Sequence, residues 1–222
     1  MFVGHLAVAL AAKRLSPRVS LGWLMAGVVA LDLLWPIFLI LGLEHVNLHP
    51  GAGAGGTAFT PVAFTWYPWS HSLAMAIVWG LLFMAIGQWR RLPVHPAWLL
   101  AALVVSHWVL DFASHAPDMP LWPTAGSPRL GLGLWNSIPA TLVVEGAMWV
   151  AGIAIYLRGR RPTRWIGPVA FWSLTVVCTV MWATGPWSPV PSSNATLGWF
   201  AMIGWLVPFW AALADRYHAT AP

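Results

Sequence analysis

The 222 residues are 59% apolar and only 8% charged, with eighteen tryptophans and a net charge of +5, whereas a soluble domain is about 45–50% apolar and about 25% charged, so a water-soluble globule is excluded. The basic side is ten Arg and one Lys scattered between apolar runs, which excludes the basic face that nucleic acid needs. The single Cys178 excludes an intrachain disulfide framework and a cysteine zinc cage.

The chain opens with an apolar, helix-compatible stretch, residues 1–12, about half the ~20 residues that a crossing requires. It lacks the basic leader and small-residue cleavage site of a secretory signal and is read as retained. With Lys13 and Arg14 at the membrane surface, a rise of ~1.5 Å per residue carries His5 about 12 Å inward, close to the midplane. A half-helix ending there is tolerated only if its free amides are covered by protein or face a wet cavity. Six apolar stretches follow, at residues 20–43, 71–88, 97–113, 138–157, 166–184 and 195–214. The third is the shortest and is expected to extend past Ala113. After the first, the glycine-rich tract 51–56 has no following Lys-Ser/Thr, which disfavours a phosphate-cradling loop. Pro and Ser within 185–193 mark a short loop before the last stretch. No internal repeat and no soluble domain interrupts the pattern. The expected fold is all-α, a single integral membrane domain over 1–222: a polytopic membrane helix bundle of about six transmembrane helices plus a short N-terminal half-helix.

Lys13, Arg14 and Arg18 precede the first stretch, Arg90 and Arg91 follow the second, Arg158, Arg160, Arg161 and Arg164 separate the fourth from the fifth, and Arg216 follows the sixth. Only Arg129 falls in the alternate set of loops. Positive-inside reasoning places the first set in the cytoplasm, giving a prokaryotic inner-membrane protein with loops after Leu43, Ala113 and Thr184 outside.

Ionisable side chains within hydrocarbon are costly and usually face a bundle interior and mark function. Counted by depth, Asp32 and His107 lie near the midplane, and Asp111 one helical turn further out. Glu145 falls in the outer half, His71 opens the second stretch, and His5 arrives from below. These six groups on five segments converge on one slab between the midplane and the outer face. With no Lys or Arg among them they form an uncompensated acidic pocket, and buried carboxylates need cations or must stay protonated. A divalent metal resolves that problem and uses the imidazoles; mixed nitrogen and carboxylate ligands suit Zn²⁺ best, with Mn²⁺ or Fe²⁺ as alternatives. His107 and Asp111 stand i,i+4 on one helix face and can share an ion.

Taken singly, each group also has an ordinary reading. A helix-embedded histidine such as His5 is more often a satisfied structural group; Asp32 alone fits an inter-helix hydrogen bond and Glu145 a proton relay. His115 and Asp118, at the outer end of the third stretch, divide between ligand and loop polar group. His45, His49 and His95 lie in loops, and His218 in the basic flank. Trp66, Trp69, Trp122 and Trp135 are interface anchors more simply than a substrate cage. The sequence has no HExxH and no GxSxG, which disfavours a zincin and a serine hydrolase.

Several blocks resemble the YdjM-like family of membrane-bound metal-dependent hydrolases: Gly4-His5, Leu31-Asp32 with Trp35-Pro36, Tyr67-Pro68 with Ser70-His71-Ser72-Leu73, Ser106-His107-Trp108-Val109-Leu110-Asp111, and Gly131 to Ser137 followed by Glu145. The resemblance covers about residues 4–160. That family is distantly similar to zinc-dependent phospholipase C, an all-helical enzyme with a His/Asp/Glu multi-metal site. The resemblance implies His5, Asp32, His71, His107, Asp111 and Glu145 as metal ligands; His115 is added as a further candidate. The expected function is a metal-dependent hydrolase of a membrane-associated ester, foremost a lipid phosphoester, with Asp32 or Asp111 as general base and a membrane lipid or lipid phosphate as substrate. The alternative is a non-enzymatic membrane protein, either a metal- or proton-coupled permease or a structural metal-binding protein.

Overall fold

The computed structural model describes residues 1–48, 56–60, 62–158 and 160–220. His49 and the glycine-rich tract up to residue 55 lie outside the described residues. Among the described residues ten α-helices carry the fold: α1 Val3–Ala12, α2 Leu21–Val28, α3 Ala30–Ile40, the single turn α4 Pro68–His71, α5 Leu73–Trp89, α6 Val94–Ser114, α7 Ile138–Leu157, α8 Ile166–Thr184, α9 Asn194–Ala201 and α10 Leu206–Arg216. Three two-stranded antiparallel ribbons close the loops: His45–Asn47 with Ala63–Trp66, Met119–Pro120 with Arg129–Leu130, and Arg160–Pro162 with His218–Thr220. The fold is an all-α bundle.

Each of the six apolar stretches is helical, but they do not all cross as unbroken helices. The described residues contain four helices long and apolar enough to cross a membrane, or up to five if one bent pair counts as a span. The bent pair is α2 and α3, which turn by 55° at Val29. The second stretch yields only the 17 residues of α5, because Ser72 is extended and caps that helix by accepting from the Met75 amide at 3.3 Å. His71 therefore ends the separate turn α4 instead of opening a span. The third helix gains most of its extra length at its start, from Val94, rather than beyond Ala113. In the last stretch a tight turn at Met202–Trp205 separates α9 from α10.

The half-helix α1 sits at the centre. Eight of its ten residues are buried, as expected for a helix apolar all round. It runs against α7 so closely that a Cβ on Gly152 would lie 2.7 Å from Ala7 Cα. The first amides of a helix have no partners within it, and here Glu145 on α7 supplies one. Its Oε2 accepts from the Phe2 amide at 2.8 Å and the Gly4 amide at 3.4 Å, while Oε1 accepts from Trp135 Nε1 at 3.1 Å. At the other end of α1, Lys13 Nζ donates to the Val19 carbonyl and to Asp215 Oδ2 at 2.6 Å. Burial pulls the Lys13 ammonium below its ordinary range, and the Asp215 carboxylate opposes that shift.

Candidate metal centre

Four elements bring the polar groups together beside the start of α1. His5 comes from its first turns, Asp32 from the first turn of α3, His71 from the end of α4, and His107 and Asp111 from α6. His5, Asp32 and His107 form one set, and His71, His107 and Asp111 another, with the ligand atoms of each within 4.8 Å of one another. His107 belongs to both. Its Nε2 lies 3.0 Å from Asp111 Oδ2 and 3.7 Å from Asp32 Oδ1. His71 Nε2 lies 3.6 Å from Asp32 Oδ1 and 3.7 Å from Asp111 Oδ2. His5 Nε2 is 3.0 Å from Asp111 Oδ1, and its ring stacks on that of His107 at 3.8 Å.

Hydrogen bonds behind the imidazoles set which nitrogen faces the cluster. At the α2–α3 break the carbonyl of Val28 lies 2.7 Å from His107 Nδ1, so Nδ1 carries the hydrogen and a neutral His107 turns a lone pair on Nε2 towards the carboxylates. His71 Nδ1 lies 2.6 Å from Ser70 Oγ, and that hydroxyl donates to Glu44 Oε2 at 2.6 Å. The Ser70 amide donates to Glu44 Oε1 at 2.7 Å. This His71–Ser70–Glu44 chain likewise leaves Nε2 of a neutral His71 as an acceptor. Burial pushes the Glu44 carboxyl up to about 7 against the hydrogen bonds from Ser70 and the Trp69 amide, which favour its charged form.

Two lone pairs thus converge on two carboxylates, an arrangement that requires protons or a cation between the acceptors. Among the described residues, His107 Nε2 and His5 Nδ1 are buried without a hydrogen-bond partner. Nitrogen and carboxylate donors oriented from behind are the composition of a Zn²⁺-type site, so the residues present fit a divalent ion.

No family model, characterised protein or solved structure matches the chain.

Five of the seven residues expected as ligands come together, and two do not join the sets. Glu145 is engaged with the amides of α1 and with Trp135, so its oxygens are used in capping. His115 lies at the rim, its Nδ1 3.0 Å from Asp118 Oδ1, packed between Trp135 and Phe64. Tyr67 donates to the same Asp118 oxygen at 2.5 Å, and burial together with Asp118 lifts its phenol well above the ordinary range. The α-amino group of Met1 pairs with Asp111 Oδ1 and donates to Ser114 Oγ at 2.9 Å.

The two candidate bases differ in access. Asp111 has 4% of its side chain exposed and Asp32 42%. Asp32 faces a cleft of about 60 Å³, shared with His71, Asp111 and His115 and walled by Trp35, Phe64 and Trp135. That is room for a few waters or one small polar group. Glu44, at the end of the first stretch, was not among the sequence candidates. Its signal would have been a carboxylate placed where an apolar run meets a loop.

Proposed function

We propose that the protein is a membrane-embedded metal-dependent hydrolase of a membrane-associated ester, foremost a lipid phosphoester. The observation that carries this reading is the convergence of His71 and His107 Nε2 on the carboxylates of Asp32 and Asp111, with both rings fixed from behind. The resemblance to the YdjM-like hydrolases points the same way.

His5, His71, His107 and Asp111 would hold the ion. When bound it supplies Lewis acidity, polarising a phosphoryl or acyl oxygen and acidifying water. Asp32, the more exposed carboxylate, is assigned as general base. It takes the proton of the attacking water as the new bond to phosphorus or carbon forms, and the proton then passes to the departing oxygen. The small aromatic cleft admits the ester group while the rest of the lipid stays outside, and Trp35, whose buried Nε1 has no partner, is placed to donate to an ester oxygen. In orientation, the reading keeps the inner membrane, with the cluster in the outer half.

The test is metal analysis of purified protein, followed by a screen of lipid phosphates with and without chelator. His107→Ala and Asp111→Ala are expected to lose metal and activity together. Asp32→Asn is expected to keep the metal and lower turnover by ~10²–10⁴-fold. Wild-type protein that folds but binds no divalent metal at micromolar concentration would overturn the proposal.

One observation favours the second reading, a permease: the break between α2 and α3 beside Asp32 has the form of the interrupted helices that build transporter sites. Proteoliposomes that accumulate the metal without hydrolysing any lipid would select it.

A further inference from the structure

At the far end of α1 from the histidines, two clefts adjoin. The first, of about 730 Å³, is lined by Lys13, Arg18, Arg160 and Arg216 with Asp215 and His218. The second, of about 360 Å³, is apolar and runs between α2 and α10, lined by Trp23, Ala26, Leu33, Trp205 and Phe209. Ser20 and Ala212 line both, so the basic cleft and the apolar groove lie side by side and share part of their wall. The two helices touch at Gly22, where a Cβ would lie 2.5 Å from the Pro208 carbonyl. The groove runs from Trp205, at the end of the tight turn, to Ala212 on α10, roughly 10 Å at ~1.5 Å per residue.

The charge in the basic cleft is not balanced from within. Asp215 is its one carboxylate, and it is saturated. Its Oδ2 accepts from Lys13 at 2.6 Å and the Leu21 amide at 3.0 Å, and its Oδ1 from Arg160 at 2.7 Å and Tyr156 at 3.2 Å. Among the described residues no carboxylate pairs with Arg18 or Arg216, and both are exposed. A surplus of cations at the mouth of an apolar groove matches a ligand with an anionic head and a hydrocarbon tail.

We propose that this double cleft is a binding site for an anionic phospholipid, its phosphate against Arg18, Arg216 and Arg160 and an acyl chain in the α2–α10 groove. The inference is independent of the hydrolase reading, because no residue of the metal cluster lines either cleft. Its role is to tie α10 to α2 at the membrane surface, where Asp215 already fixes α10 to the end of α1.

The experiment uses full-length protein in nanodiscs of equal phosphatidylglycerol and phosphatidylcholine, with the lipid retained on release read by native mass spectrometry. Wild type is expected to retain phosphatidylglycerol in preference, and millimolar inorganic phosphate is expected not to displace it. Arg18→Gln with Arg216→Gln is expected to lower that preference about fivefold for each arginine, from ~1 kcal/mol per cation at an anionic surface, with metal content unchanged. Lys13 and Arg160 are left intact because they hold Asp215. Ala26→Phe fills the groove and is expected to reduce retention with all the cations in place. Equal retention of the two lipids, displacement by inorganic phosphate, or an unchanged preference in the double variant would each overturn the site.

Discussion

The two ends of α1 each meet carboxylates, and they are built oppositely. At the Lys13 end Asp215 meets an ammonium, a guanidinium, a phenol and an amide, and no oxygen valence is left over. At the His5 end Asp111 meets the Met1 amino group on Oδ1, Asp32 and Asp111 both face imidazoles whose charge can change, and nitrogens of His5 and His107 have no hydrogen-bond partner among the described residues. Asp215 is 9% exposed at its side chain and Asp32 42%. A saturated ion pair has only structure to offer, whereas unsatisfied donor atoms and an open carboxylate can take a ligand. Satisfaction of the lone pairs, more than the presence of charge, separates a lock from a site.

The largest effect that would break this contrast is at Asp215. Asp215→Asn leaves Lys13 and Arg160 buried and unpaired, and loss of one partner of a buried pair costs about 3–5 kcal/mol. Asp32→Asn, which removes one of two mutually repelling carboxylates, is expected to change metal-free stability by less than about 1 kcal/mol or to raise it. Denaturant unfolding in detergent with chelator measures both. Equal losses at the two sites would show the His5 end to be a lock as well.

Next in size is the pH dependence from Glu44. Its carboxyl has a folded pKa of about 7 against an ordinary 4.5, so the folded protein binds this proton more tightly than the unfolded chain. The resulting stability is fully present below pH 4.5 and is lost as pH rises to 7, amounting to about 3 kcal/mol. Glu44→Gln carries no such proton. The stability difference between the variant and wild type is therefore expected to grow by that amount from pH 4.5 to 7 and then level off. A pH-independent difference would mean that Glu44 titrates alike in the folded and unfolded chain, and burial would not raise its pKa.

These two residues also mark where the sequence could be read and where it could not. His5, Asp32, His71, His107 and Asp111 stand out because charge is rare at membrane depth, and a depth count needs only ~1.5 Å per residue. The half-length of α1 is visible for the same reason. The α2–α3 break is not visible, since Val29, where the chain turns, is neither Gly nor Pro. Asp215 is hidden by its neighbour Arg216, as the pair looks like an ordinary charged flank. Glu145 is singled out by its place in an apolar run, but that does not reveal whether a carboxylate meets imidazoles or backbone amides.

A smaller effect sharpens the contrast from the metal side. Ser70→Ala leaves His71 in place but cuts its link to Glu44. Losing such an outer-shell partner typically weakens metal binding by about 10–100-fold. Zn²⁺ titration against a competing chelator checks this, and an unchanged affinity would remove the His71–Ser70–Glu44 chain from the site.

The smallest expected change is at Glu145, where the two kinds of carboxylate lie on neighbouring structure. Its oxygens accept from the Phe2 and Gly4 amides at the start of α1 and from Trp135, and a negative charge at a helix N-terminus is favourable. Glu145→Gln keeps one oxygen for the amides but turns an NH₂ towards the other donor and removes the charge. The expected loss is about 1 kcal/mol of stability, with metal affinity retained within about twofold. Metal titration and denaturant unfolding on the same preparation separate the roles. Lower stability with metal retained makes Glu145 the cap of the half-helix, while lost metal at unchanged stability would make it a ligand and extend the site beyond the two sets that share His107.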